Sequence, residues 1–318
     1  MTKRCNRRFV LKSGTLLALS SFFPSLERNV IAAPVLDVRH VAEGVYAFAG
    51  RHELMTQSNQ GEICNVGFVI GGEAVAVIDS GGSVTEGRAL IAAIRAITDK
   101  PIRFLINTHM HPDHVFGNAA FEDIGATIVG HRNLPRALMS RGDFYLESYR
   151  ETMGDVLMSE IRIIAPSRLI DHEEEIDLGG RTLTLRAWKP AHTDNDVTVL
   201  DEQTRTLFAG DLCFLDHLPT LDGSILGWMA QLDALAAIDA QMVIPGHGPV
   251  PFPWPEALEP ERHYFEVLAR DVRKAISDGI PLAGAVQGAA IEEREHWQLF
   301  DQYNTRNATA AFAELEWE

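Results

Sequence analysis

An α/β fold is what this sequence predicts, and three observations carry it. Short apolar runs alternate with longer segments of helical periodicity, and polar residues of metal-ligating type stand where several of those runs break. A chain of 318 residues that is 46% hydrophobic can also bury one large core. Taken in order, strands are expected near 36–39, 44–48, 64–71, 73–79, 101–107, 126–129, 182–188, 197–201, 206–209 and 241–245, and helices near 84–98, 131–160 in pieces, 225–239, 256–277 and 303–313. Gly81-Gly82 and Gly179-Gly180 read as turns, and residues 51–63, polar and glycine-containing, read as a loop. Residues 34–318 suit one domain whose last part, about 255–318, is a helical tail.

The densest chemistry is Thr108-His109-Met110-His111-Pro112-Asp113-His114, three imidazoles and a carboxylate directly after the apolar Ile102–Ile106 run. In an extended chain, residues i and i+2 share a side, so His109 and His111 can grip one ion. Asp113 and His114 lie past Pro112, at the start of a short helix through Asn118, and point to a neighbouring position. One loop thereby serves two ions. Imidazole nitrogen with carboxylate oxygen suits zinc, with iron or manganese as alternatives. Three more ligand types, His192, Asp211 and His247, each follow a strand-like run at small, Gly or Pro residues, which is where sheet-borne sites place their chemistry.

These residues, with Asp79 in Val77-Ile78-Asp79-Ser80-Gly81, match five motifs in order, and over about residues 40 to 250 the chain resembles the metallo-β-lactamase superfamily. The resemblance implies a four-layer αββα sandwich with a C-terminal helical extension and the metals at one edge of both sheets. It implies that His109, His111 and His192 hold a first zinc, that Asp113, His114 and His247 hold a second, and that Asp211 bridges them as in the glyoxalase II and lactonase branches. The best-known β-lactamase branch has cysteine at that position, which counts against that activity. The stretches His111–Asn118, Ala191–Asp196, Asp216–Pro219 and Ala311–Glu318 further resemble exported zinc metallohydrolases associated with quinoprotein dehydrogenase systems.

The expected activity is hydrolysis of an acyl bond (ester, thioester, lactone or amide) in a small-molecule substrate, with a water activated by the two zincs as nucleophile and Asp113 orienting it. His217, six residues past Asp211, is expected to rim the site and to contact substrate or deliver a proton. Asp194, Asn195 and Asp196 are candidates for hydrogen bonds to the ligating imidazoles. Two alternatives stand beside this reading: a mononuclear iron oxidoreductase of the sulfur dioxygenase type, using His109, His111, His192 and Asp211, and a non-catalytic accessory protein of a quinoprotein system.

The N-terminus reads as an export signal over residues 1–33. Lys3, Arg4, Arg7 and Arg8 precede an apolar stretch too short to span a bilayer, and Arg7-Arg8-Phe9-Val10-Leu11-Lys12 resembles a twin-arginine signal, which implies a periplasmic protein with no stable membrane insertion after cleavage. An uncleaved amphipathic anchor is the alternative. The net charge is −16 for the whole chain and −21 without those 33 residues, a balance that argues against nucleic acid as partner. Cys64 and Cys213 are expected as buried free thiols rather than a disulfide. His40, His52, His131, His172, His263 and His296 are expected in surface or capping roles.

Overall fold

The computed structural model describes residues 36–318, so the expected signal at 1–33 lies outside the described residues. Two sheets face each other, each running in chain order from edge to edge. The first contains β1 (Arg39–Ala42), β2 (Val45–Phe48), β3 (Val66–Ile70), β4 (Val75–Ile78), β5 (Ile102–Ile106), β6 (Thr127–His131) and β7 (Arg168–Ile170). The second contains β8 (Glu173–Asp177), β9 (Thr182–Ala187), β10 (Val197–Asp201), β11 (Thr206–Phe214), β12 (Met242–His247) and β13 (Phe252–Pro253). Helices α1 (Val84–Ile97), α2 (Pro112–Val115), α3 (Asn118–Glu122), α4 (Leu134–Ser148) and α5 (Arg150–Met158) contribute apolar side chains to the outer core of the first sheet. Beyond the second sheet lie α6 (Ile225–Ala236), α7 (Glu259–Ser277), α8 (Leu282–Gly288) and α9 (Phe300–Leu315).

The layering follows from the two-residue period of a strand. In β3 to β5, Val66, Phe68, Val75, Val77 and Leu105 pack outward against α1 and α3, whereas Val69, Ala76, Ile78 and Ile106 pack inward. There they meet Leu183, Leu185, Val199 and Phe208 of the opposite sheet. Strands buried on both faces are apolar on both, as β3 and β4 are, and in β10 the buried polar Thr198 and Asp201 are satisfied by Trp188 Nε1 and Arg181. Gly67 makes room for the opposite sheet, since a Cβ there would stand 2.6 Å from the Phe208 ring. The four-layer αββα arrangement with C-terminal helices is thus the one expected.

Several elements differ from expectation. β11 continues for nine residues, so Asp211 lies inside a strand rather than after one; Gly210, at φ +56°, interrupts the register with β12 and lets the strand resume. β8 went unforeseen because Glu173-Glu174-Glu175-Ile176-Asp177 carries no apolar alternation, and its strand form comes from antiparallel pairing with β9. The short β7, β13 and α8 were likewise missed. Among the described residues no helix is long and apolar enough to cross a membrane.

Polar ties join the sheets. At the end that carries the ligand loops, Asn65 donates from its backbone to Gly246 O and from Nδ2 to Pro245 O and Gly248 O, and Val197 N donates to Thr108 O. Elsewhere Arg181 makes a bidentate pair with Asp201, both contacts at 2.7 Å, while also donating to Ile70 O of the first sheet. Asp201 is fully buried, so Asp201→Ala strands a guanidinium without its partner. Urea denaturation of that variant is expected to show a loss of about 3–5 kcal/mol; a loss under 1 kcal/mol would show that the pair does not help hold the two sheets together.

Candidate metal centre

Parallel pairing of β4 with β5 and of β11 with β12 brings the carboxyl ends of these strands to one edge, where the ligand-type residues gather. Asp79 follows β4 in the left-handed region at φ +60°. Its carboxylate accepts from Thr108 N at 2.8 Å, Thr108 Oγ1 at 2.7 Å and His114 Nδ1 at 2.8 Å. Since the Thr108 hydroxyl donates to Asp79, it accepts from His109 Nδ1 at 3.0 Å. Asp79 therefore orients two imidazoles, one directly and one through Thr108.

The other three rings are held in the same way. His192 Nδ1 donates to Thr220 O at 2.7 Å, His247 Nδ1 donates to Ile63 O at 3.1 Å, and His111 Nε2 faces Asp222 Oδ2 at 3.1 Å. With the outer nitrogen as donor, the inner nitrogens of His109, His111 and His192 present lone pairs, whereas the inner nitrogens of His114 and His247 face the Asp211 and Asp113 carboxylates. His111 Nδ1 and His192 Nε2 then stand 2.9 Å apart, two lone pairs that an intervening cation would reconcile. Nε2 of His109, Nε2 of His114 and Oδ1 of Asp211 are buried without a hydrogen-bond partner. Orphaned ligand atoms of this kind, converging in a buried site, fit metal ions.

Two groups share Asp211: His109, His111, His192 and Asp211 offer ligand atoms within 4.8 Å of one another, and so do His114, Asp211 and His247, while Cys64, Asp113 and His114 form a third group within the same distance. Asp113 Oδ2 lies 3.3 Å from His247 Nε2 and 3.5 Å from His114 Nε2, which places it with the second group. Asp211 reaches both, at 3.7 Å to His109, 3.4 Å to His192, 3.1 Å to His114 and 3.6 Å to His247. All seven residues picked from the sequence as metal ligands are thus brought together. Gly246 has to lack a side chain, because a Cβ there would fall 1.8 Å from Asp211 Oδ1.

Protonation differs between the groups. Burial disfavours charge on His192 and His109, keeping the first at about 3 and the second well below the usual imidazole value. Burial also opposes charge on His114 and His247, but there the surrounding carboxylates outweigh it: Asp211, Asp113 and Asp79 hold His114 well above its usual value, and Asp211 with Asp113 raises His247 to about 9. The carboxylates respond in kind. Despite burial, His114 and His247 bring Asp113 down to about 2 and Asp211 well below the carboxylate range.

A cavity of about 80 Å³ opens onto His111, Asp113, Asp211 and His247, and its walls include His217, Thr220, Tyr145, Tyr149, Tyr303 and Arg306. His217 stands at the site as expected, its ring centroid 4.7 Å from that of His247. Its Nδ1 donates to Leu218 O, which leaves Nε2 as an acceptor, and burial brings its pKa to about 3. Ile63, at the end of the loop foreseen over 51–63, also lines the cavity.

Other expectations need correction. Asp196 accepts from Thr193 and Asp194 pairs with Arg136, so these residues brace the 192–196 loop, while His192 and His111 are held by Thr220 O and Asp222. Asp222 went unrecognised. It lies eleven residues beyond Asp211 in an ordinary-looking loop and is surrounded by His111, Arg141 and Arg306 only in the fold. His131 is buried at the end of β6 rather than exposed, though it does cap a turn by accepting from Asn133 N. Cys64 and Cys213 are buried free thiols, and burial pushes both well above the usual thiol range.

Residues 59–247 match the family model described as the metallo-beta-lactamase superfamily. The chain belongs to that superfamily, whose members are mostly hydrolytic enzymes and typically bind metal ions. A beta-lactamase-like protein 2 homolog of Caenorhabditis elegans is 28% identical over 176 residues, 55% of this chain and 52% of the relative. A linear primary-alkylsulfatase of a Pseudomonas species is 24% identical over 55% of this chain and 40% of its own length. The chain thus spans about half the length or less of these two curated relatives. Among solved structures, a metallo-beta-lactamase from Pontibacter korlensis superposes with TM-score 0.59 at 18% identity, covering 73% of this chain and 99% of that one. A stereoselective inverting sec-alkylsulfatase from Pseudomonas gives TM-score 0.67 at 16% identity, over 86% of this chain and 49% of that one. At such identities the likeness is one of fold.

In this superfamily member, two outcomes test the site. Gly246→Ala is expected to lose metal as completely as Asp211→Ala does, because the added methyl and the Asp211 carboxylate cannot occupy the same place. Gly288→Ala, with open space around it, is the control; elemental analysis in which Gly246→Ala retains full metal would refute the Asp211 assignment. Metal retention should also depend on pH in two stages. His114 and His247 must release protons to bind, whereas His109 and His192 are already neutral, so lowering the pH from 8 to 5 should empty the Asp113–His114–His247 position first. Simultaneous loss from both positions, followed by stoichiometry after dialysis at each pH, would contradict this.

Proposed function

We propose that the protein is an exported hydrolase that holds two zinc ions and cleaves an acyl bond (ester, thioester, lactone or amide) of a small-molecule substrate. The observation that carries this reading is the convergence of five imidazoles and two carboxylates whose inner ligand atoms face one another, some of them orphaned. His109, His111 and His192 would hold one ion, Asp113, His114 and His247 the other, with Asp211 between them. When bound, such ions supply Lewis acidity and lower the pKa of a coordinated water toward neutrality.

The chain's own residues support hydrolysis by water. Asp113 and Asp211 remain ionised, and an ionised carboxylate only accepts hydrogen bonds, so Asp113 can orient a water by its protons. His217 Nε2 is a neutral acceptor facing the same cavity, suited to hydrogen-bonding a substrate donor or taking a proton. Among the described residues, Ser80, Cys64 and Cys213 are not poised as nucleophiles: Ser80 Oγ is engaged with His114 O and Asn118 Oδ1, and the two thiols are buried and protonated. Aspartate rather than cysteine at 211 weighs against β-lactam hydrolysis as the main activity.

The basic start, the Arg7-Arg8 pair and the short apolar stretch support twin-arginine export to the periplasm, and the resemblance of residues 111–118, 191–196, 216–219 and 311–318 supports a place in a quinoprotein dehydrogenase system. The acidic balance supports a partner other than nucleic acid. One further reading has its own support: His109, His111, His192 and Asp211 form a complete four-ligand group, enough for a single iron in an oxidoreductase.

Elemental analysis of natively exported protein separates the two. The hydrolase reading expects close to two zinc ions per chain, and one iron with negligible zinc would sink it. A panel of esters, thioesters, lactones, β-lactams and alkyl sulfates on the zinc-loaded protein should then show turnover that Asp211→Ala abolishes. His217→Ala should keep its metal and lower turnover by about tenfold or more; turnover within twofold of the unmodified protein would assign His217 a packing role only.

A further inference from the structure

Beside the metal centre the cavity has a second wall, built by helices that carry none of the metal ligands. Tyr145 comes from α4, and Tyr303 and Arg306 come from α9, outside the residues that match the family model. Tyr145 is 7% exposed, and its Oη is buried without a well-aligned hydrogen-bond partner, although Arg141 lies alongside. A phenol in that position lacks a partner that a ligand could supply. Arg306 is anchored by one contact, at 3.0 Å to Asp222 Oδ1, and a guanidinium has five N–H donors, so most of its donors stay free while the anchor fixes it at the cavity wall.

Charge points the same way. Asp222 is flanked by Arg141 and Arg306, two guanidinium groups against one carboxylate, in a chain whose net charge is −16. Asp113 and Asp211 line the metal side of the same cavity and Arg141 lies behind Asp222, so the donors offered to the cavity on this wall are the Arg306 guanidinium and the Tyr145 hydroxyl. Donors beside a cation select a negatively charged oxygen group. A cavity of about 80 Å³ has room for several waters or for a small polar group in their place.

We propose that Tyr145 and Arg306 form a specificity subsite that binds a carboxylate on the substrate, at a distance from the bond cleaved at the metal centre. The substrate class is then an ester, thioester, lactone or amide whose acyl part bears a second, anionic carboxyl group. This rests on the hydrolase reading above and narrows it. Binding energy at the subsite would hold the scissile carbonyl against the metal ligands, so its loss should appear mainly in KM.

The test uses zinc-loaded protein and two chromogenic esters of equal chain length, the p-nitrophenyl monoester of glutaric acid and p-nitrophenyl pentanoate. The unmodified protein should favour the anionic ester. Tyr145→Phe, which removes only the hydroxyl, and Arg306→Gln should each reduce the ratio of the two kcat/KM values by about tenfold, with zinc content unchanged. Calorimetry with glutarate and with butyrate gives a readout apart from turnover: both variants should weaken glutarate about tenfold relative to butyrate. Should neither ester be cleaved while the variants still weaken glutarate selectively, the subsite stands and the hydrolase reading fails. If both esters are cleaved and neither variant alters the ratio or the glutarate affinity, or if the ratio falls only in step with lost zinc, the subsite is overturned while the hydrolase reading survives.

Discussion

Everything at the site depends on where five protons sit. Each imidazole of His109, His111, His114, His192 and His247 has an acceptor at its outer nitrogen, and that contact sets both the tautomer and the direction of the inner lone pair. The acceptors are a hydroxyl, two carboxylates and two backbone carbonyls, drawn from four different segments. A ring without its outer acceptor could rotate or protonate at the inner nitrogen. Asp79 matters most in this respect, because one buried carboxylate serves two rings and the backbone of Thr108 together.

Such a centre is electrostatically unfavourable until a cation arrives. Asp113 and Asp211 are ionised in a buried site, and the protein compensates by raising the proton affinity of His114 and His247. A bound ion would take the place of those protons as the compensating positive charge. On the His192 side, two lone pairs at 2.9 Å have no proton of this kind. The two halves of the centre are therefore prepared differently: one must shed protons to bind, and the other has none to shed.

The helical tail is part of the site as well as a cover for the second sheet. Asn307 donates to Pro219 O and accepts from Leu221 N, so α9 holds the segment that supplies Thr220 O to His192 and Asp222 to His111. Tyr264 on α7 donates to Asn304 and receives from Asn307, which binds α9 to the rest of the tail. Tail, loop and ligand ring are thus linked through a few hydrogen bonds, and the same helix sets Tyr303 and Arg306 in the cavity wall.

Most strands and helices and the seven ligand-type residues were legible in the sequence because both depend on short-range pattern, and the αββα layering followed from the family resemblance that those residues carry. Apolar runs mark strands buried on two faces, and H-x-H-x-D-H, His192, Asp211 and His247 announce themselves by residue type at the breaks between runs. β8 was not legible, since its acidic residues take strand form only by pairing with β9. Neither were Thr220, Asp222, Tyr145 or Arg306, because nothing local distinguishes an aspartate that orients a histidine 111 residues away from one that merely faces solvent. Asp194 and Asp196, nearer in sequence to His192, looked the better partners and turned out to brace their own loop. Ligand identity is a matter of side-chain chemistry, which the sequence states outright. The second layer of contacts depends on which distant segments the two sheets and the tail bring within hydrogen-bond reach, and only the tertiary structure decided that.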